Sequence, residues 1–469
     1  MFSKLKLLTQ IGLYALIISI GCWSFYHTLS NPTPFPNEAP HLLTAAVEAE
    51  ACNLSMLPEA SLATRQPFHE CAAAFVRFIS ESRPNGYRTR TYRLFPMLLS
   101  IFFLLALPAL GMKRRGGCFE TDDALFWTAL FVIFSPAFSS YGSLFLPLSF
   151  QALIFLGLLI SFRAYVQWPG YLSAIIIALC ISLGISINAD MAWVSLLFVP
   201  AIAISVGWRR ICLYWHTGHF LTFCGVLAAS LGSGIYFDLI QTPTLPDFTF
   251  PAGCVTLHAY WFALGGFSLI AWVSMIFWCA YHPDKRWAKL FTLIFPLLFI
   301  SSFGFVRGGG FAVPSVCISP ILLAMALSAI PNLRIRIIMG GITLLVLALY
   351  VPELNHHPLT REAQRHFART LIHHTQAQKG SPITTAIRFN DPEWCAFSVW
   401  PIRHTRLVSG EAAPHATLSR VDRLLTDQPL PQDARAELLF SRPVTRIETL
   451  SLYTTHPVTT PASTPPKTL

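Results

Sequence analysis

Asn37 and Glu38 stand side by side, bracketed by Pro36 and Pro40. The apolar positions Leu42, Leu43, Ala46 and Val47 follow at helical spacing, so the carboxylate comes just ahead of a helix lying along a surface. A carboxylate held there can take a proton from a hydroxyl as a general base. The plainer reading is a solvated acid placed favourably at a helix start. Two arginines offer complementary chemistry. Arg93 stands at the head of a long apolar run, and Arg307 precedes Gly308, Gly309 and Gly310, which permit close backbone approach. A guanidinium grips phosphate as a planar fork, or it anchors a helix end by snorkelling. His69 and His41 add hydrogen-bonding groups that could touch a substrate.

Other candidates carry less. Asp190 reads as a turn cap; Asp238 and Asp247 read as loop acids that could hold a divalent cation or an acceptor. His366 and His373 are two turns apart on one helix face and His374 is rotated off it, which is not the i, i+4 pair of a zinc site. No metal or organic cofactor is called for. Phosphate-binding and dinucleotide-binding glycine motifs are absent, so ATP-driven transport and nicotinamide chemistry lack support.

The elements that must position these residues belong to a membrane protein. The 469 residues are 54% hydrophobic and 12% charged, with mean hydropathy +0.53. A soluble domain carries roughly 25% charged residues. Eleven apolar runs are long enough to cross a bilayer, at about 7–26, 93–112, 123–139, 143–162, 170–187, 191–207, 219–237, 260–281, 289–306, 311–330 and 335–351. With the N-terminus cytoplasmic, Lys4, Lys6, Lys113, Arg114, Arg115, Arg163, Arg209, Arg210, Lys285, Arg286, Arg334 and Arg336 all fall on the cytoplasmic side. The outer turns 140–142, 188–190 and 238–259 hold no Lys or Arg; Arg307 breaks the rule. The net charge of +10 is thus topological, with added attraction to anionic lipid. It is not the basic face or tail of a nucleic-acid binder. The first run is expected to be an uncleaved span rather than a signal peptide. An odd number of spans places the C-terminus outside.

Two outer segments are then large. Residues 27–92 contain two amphipathic surface helices, and Cys52 and Cys71 there could pair in an oxidising compartment. Residues 352–454 form a small soluble domain of mixed α/β character. It has a helix over 359–376, strand-like runs ITTAIRF, AFSVW and TRLVS, and a helical patch ATLSRVDRLL. The Pro/Thr-rich 455–469 is expected to be disordered.

The order of parts resembles the lipid-linked-sugar glycosyltransferases of the GT-C fold, the protein O-mannosyltransferase, aminoarabinose-transferase and RgtA/B/C/D-like group. That group has an Asp-Glu pair after span 1, a Pro-Pro-Leu-like segment opening a surface helix, and an arginine starting span 2. The matching residues here are Asn37-Glu38, Gln66-Pro67-Phe68-His69 and Arg93. Ser135-Pro136 before an outer turn with Arg163 closing the next span, the Gly184-containing span 5, and Arg307 with Pro314 and Pro320 are similar too. Residue 37 is Asn rather than Asp, residue 68 is Phe rather than Pro, and no acid occupies 140–142.

The resemblance implies an all-α polytopic domain over 1–351, with the loop 27–92 belonging to it, and a bacterial inner membrane or its equivalent. It implies transfer of a sugar from a polyprenyl-phosphate donor to an envelope glycan, lipid or protein on the outer face. Glu38 would be base or acceptor orienter and Asn37 its non-ionising partner. Arg93 and Arg307 would bind phosphate, and His69 and His41 would contact substrate. Two other readings are a lipid or glycan transporter, which an internal repeat and buried charges would favour, and a GT-C scaffold without catalysis, which Asn37 keeps open.

Overall fold

The computed structural model describes residues 2–30, 38–50, 65–80, 88–107, 113–115, 118–120, 123–134, 142–167, 170–187, 218–236, 332–354, 366–373, 384–388, 392–402, 406–409, 422–426, 437–443 and 449–454, with isolated positions between them. The chain divides into two compact units. One comprises Met1–Asn31, Gln66–Cys71 and Arg90–Asn355; the other comprises Pro32–Arg65, Ala72–Thr89 and His356–Leu469.

The first unit is helical. Helix α1 covers Phe2–Ser30. In the loop that follows, α2 covers Ala39–Glu48 and α3 covers Pro67–Ser80, and α3 contributes only its first turn to this unit. Helix α4 covers Thr89–Ala106, and the short antiparallel strands β1 (Lys113–Arg115) and β2 (Cys118–Glu120) come next. Then follow α5 (Asp123–Ile133), α6 (Leu148–Gln167), α7 (Tyr171–Ile187), α8 (His219–Tyr236) and α9 (Leu333–Leu354). The apolar runs become helices, which satisfy their interior backbone groups internally.

Helix α6 packs along α7 and α7 along α8, while α5 packs on α1 and α9. One core runs through these helices and includes Ile17, Phe25, Phe103, Phe131, Phe155 and Leu347. Between α7 and α8 the Ser182 and Ser230 hydroxyls lie 2.5 Å apart, a polar link inside apolar surroundings. Gly340 is required where α9 meets α5, since a Cβ there would stand 2.4 Å from the Trp127 ring. Outward faces are bare and apolar; Leu172, Leu221 and Ile235 are about 70% exposed, at 71%, 72% and 66%. Among the described residues, Leu148–Tyr165 and His219–Tyr236 are long and apolar enough to cross a membrane.

Boundaries differ from the expected runs. The run expected from 93 begins four residues earlier, at Thr89, so Arg93 lies one turn inside a helix. It is fully buried. The run expected from 143 becomes helical only at Leu148, because 142–147 is a turn that Pro147 closes. Helix α5 covers the first part of 123–139. The expected spans at 191–207, 260–281 and 289–306 lie outside the described residues almost entirely, as does 455–469.

The second unit holds α2, the rest of α3, a helical stretch over 366–373 and an α/β sheet. Strands β3 (Thr384–Arg388), β4 (Arg406–Ser409), β5 (Arg423–Thr426), β6 (Glu437–Pro443) and β7 (Thr449–Thr454) lie in the order β4-β3-β5-β7-β6. Strand β3 pairs parallel with β4 and β5; β7 pairs antiparallel with β5 and β6. Helix α10 (Pro392–Ile402) connects β3 to β4, as a parallel pair needs a crossover. Every residue from Cys395 to Trp400 is buried. Helix α10 packs on β3 and α2, and Phe397 stacks on Phe367 at 6.2 Å. Two expectations fail here. AFSVW is helical, since Pro392 and Glu393 open a helix ahead of it. The end of ATLSRVDRLL is strand β5, recruited by pairing on both edges.

Candidate functional site

Glu38 is the N-cap of α2, with Pro40 in the first turn and its own carbonyl accepting from Leu42 N–H at 3.1 Å. Its carboxylate does not cap the helix, and the residue is fully buried. One turn on, His41 keeps part of its surface exposed, yet enclosure of the ring brings its pKa down to about 4. The negative charge of Glu38 pulls the other way and is the weaker influence. At neutral pH His41 is therefore an uncharged donor and acceptor beside a carboxylate.

The first turn of α2 is tied down. The Thr44 hydroxyl lies 3.0 Å from the carbonyls of both Pro40 and Ala63, and Ala63 N–H donates to Pro40. The other end carries the carboxylates Glu48 and Glu50, and arginines from outside the helix answer them. Arg65 pairs with Glu48 at 3.1 Å; Arg77 of α3 pairs with Glu50 at 3.5 Å and donates to the Glu48 carbonyl. Glu50 ends the helix in the left-handed region at φ 59°.

Within the first unit a separate cluster forms from the first turn of α3, the start of α4 and the turn into α6. His69 Nδ1 accepts from Gln66 N–H at 3.1 Å while Gln66 C=O accepts from His69 N–H at 2.9 Å. This is one half of a capping box, with histidine in place of the usual Glu or Gln reaching back to the N-cap N–H. With Nδ1 accepting, the ring proton sits on Nε2. Phe68, the departure from the proline pattern, is buried against Phe145, Phe95 and Phe150 at 4.9, 5.7 and 6.3 Å. Tyr92 meets the same Phe145 ring edge-on at 5.5 Å. His69 and Arg93 are the chain neighbours of these two rings, and both are fully buried.

Sequence reasoning missed the turn that completes this cluster. Ser100 Oγ donates to Gly142 C=O at 2.6 Å. Gly142 has no room for a side chain, since a Cβ would meet Phe138 O at 2.6 Å and Phe25 at 2.9 Å. Ser143 Oγ, Ser149 Oγ and Gln151 Oε1 are buried, with no hydrogen-bond partner among the described residues. The available signal was three polar residues at the head of an otherwise apolar run.

Glu38 and His41 thus lie together in one unit, and His69 and Arg93 together in the other. Asn37, Arg307, Asp190, Asp238 and Asp247 lie outside the described residues. Cys71 is a free, exposed thiol whose pKa is raised, first by partial burial and then by Glu70; Cys52 is outside the described residues.

Neither a family model nor a curated protein matches the sequence. Solved structures do. The chain is similar to ArnT from Cupriavidus metallidurans in the apo state, with TM-score 0.61 and 12% identity over 96% of this chain and 98% of that one. The same enzyme bound to undecaprenyl phosphate gives TM-score 0.61 and 12% identity over 94% and 98%. The arabinofuranosyltransferase AftD from Mycobacteria gives TM-score 0.46 and 12% identity, over 94% of this chain and 40% of that one. The GT-C resemblance read from the sequence therefore holds for the fold, which is mostly helical.

Proposed function

We propose that this chain is an integral membrane glycosyltransferase. It transfers a sugar from a polyprenyl-phosphate donor to an envelope glycan, lipid or protein hydroxyl at the outer face of a bacterial inner membrane. The observation that carries the reading is the likeness to ArnT over nearly the full length of both chains. That ArnT was solved with undecaprenyl phosphate supports a lipid phosphate as the donor's carrier. The eleven-span topology, with a cytoplasmic N-terminus and an outer C-terminal domain, belongs to the same proposal.

A sugar on a polyprenyl phosphate already has a good leaving group. What the protein must add is a base for the acceptor hydroxyl and a countercharge for the phosphate. Glu38 takes the first task, removing or orienting the acceptor proton as the new glycosidic bond forms. Asn37 hydrogen-bonds beside it. Arg93 takes the second task, and Arg307 with its glycines joins it. His41, neutral at working pH, and His69, with its Nε2 proton, contact substrate. Ser149 and Gln151 supply uncharged groups suited to sugar hydroxyls. No cofactor is invoked.

The test compares cell-envelope glycans by mass spectrometry in a strain lacking the gene, complemented with wild type or Glu38→Gln. The carboxamide keeps the shape and loses the base. Product is expected to fall by about 10²–10⁴-fold at unchanged protein level. Full product from the variant would remove Glu38 from the mechanism.

A further inference from the structure

We propose that Trp400, on a helix near the far end of the chain, is a positioning residue for the transfer reaction. The inference rests on the functional reading above. Two observations in the second unit carry it. Helix α10 packs along α2, the helix whose N-cap is Glu38. At the far end of α10 the Trp400 indole Nε1–H donates to Thr89 Oγ1 at 3.0 Å, across 311 residues of sequence. Thr89 is the first residue of α4, and Arg93 follows it by one turn.

Within this unit one helix thus has hold of the segment that carries the candidate base and, through its indole, of Thr89. The hold is well made. Trp400 is 3% exposed and Thr89 is 2% exposed, so the indole–hydroxyl bond is shielded from competing water. Cys395, Ala396, Phe397 and Val399 are buried too, on a helix that packs on β3 and α2. Packing alone fixes the distance between two helices but tolerates sliding along their axes. A single directional bond from a rigid, two-torsion side chain sets the axial register. Transfer chemistry responds to displacements on the order of 1 Å. The soluble α/β part therefore contributes to the rate without touching substrate.

The experiment uses the full-length protein in the complemented strain, with envelope product measured per folded protein. In parallel, purified protein is probed for undecaprenyl phosphate binding by native mass spectrometry. Trp400→Phe keeps the ring in place and removes the donor; Thr89→Val removes the acceptor in a less crowded place. Each variant is expected to lower product about tenfold, the equivalent of one shielded hydrogen bond. Undecaprenyl phosphate binding should stay unchanged. Thr89→Ser should restore product, and the double variant should be no worse than either single one. The brace is overturned by full product from both single variants, or by product that falls only in proportion to folded protein. It is overturned as well by equal losses of product and lipid binding. Wild-type product from Glu38→Gln beside a loss in Trp400→Phe overturns the role of Glu38 and leaves the brace standing; the reverse pattern overturns the brace alone.

Discussion

Helix α2 is buried at Ala39, Pro40 and every position from Leu42 to Ala46, whereas α3 ends with Phe78 79% exposed and Ile79 43% exposed. The two helices share one loop and touch through Arg77, and α2 has a further helix, α10, laid along it. The difference separates two jobs. The helix that presents a candidate base is held from both ends and along its length. The last turn of α3 keeps a bare apolar edge of the kind that settles into a headgroup boundary.

Three measurements break or sharpen that contrast. Leu43→Ala in α2 should have the largest effect, destabilising the protein by about 2–5 kcal/mol, because Leu43 is wholly buried between packed elements. Denaturant unfolding in detergent reads it, and a cost below about 1 kcal/mol would mean that α2 is not clamped. The next effect is a pH dependence. Folded His41 stays neutral down to about pH 4, while the unfolded chain takes up that proton near the ordinary histidine value of 6.5. As pH falls from about 6.5 to about 4 the unfolded state binds more protons, so stability is lost across that window and is fully present above it. Melting curves of wild type and His41→Gln over this range should diverge, with the flatter profile in the variant. The smallest effect belongs to α3. Phe78→Ser should change stability by no more than about 0.5 kcal/mol in the same unfolding assay. A larger loss would show that this edge is covered after all.

The sequence made some parts legible and concealed others, for identifiable reasons. Apolar runs announce helices, and α1, α4, α6, α7, α8 and α9 all lie where the runs lie. Their starts are less legible because polar residues such as Thr89 and Arg90 can extend a helix that hydropathy would begin later. Ser143 to Pro147 looks like membrane span by composition, but it is turn, and a sliding average cannot see that. AFSVW has strand propensity and is nevertheless helical, because Pro392 and Glu393 ahead of it and an all-round apolar surface favour a buried helix. RLLT has helix propensity and is a strand, because two neighbours offer it hydrogen bonds. Glu38, His41, His69 and Arg93 could be singled out by type and place. Their burial could not, since it depends on partners distant in sequence. The Trp400–Thr89 bond had no local signal at all.

That bond also imposes an order on biogenesis. Residue 400 leaves the ribosome 311 residues after Thr89, a delay of roughly 15–60 s at about 5–20 residues per second. Throughout that interval the nascent α2 has its partner-seeking apolar surface already made and its final cover not yet synthesised. A chain interrupted between the last apolar run and α10 would therefore carry an unclosed greasy seam, the mark that quality-control chaperones and proteases recognise.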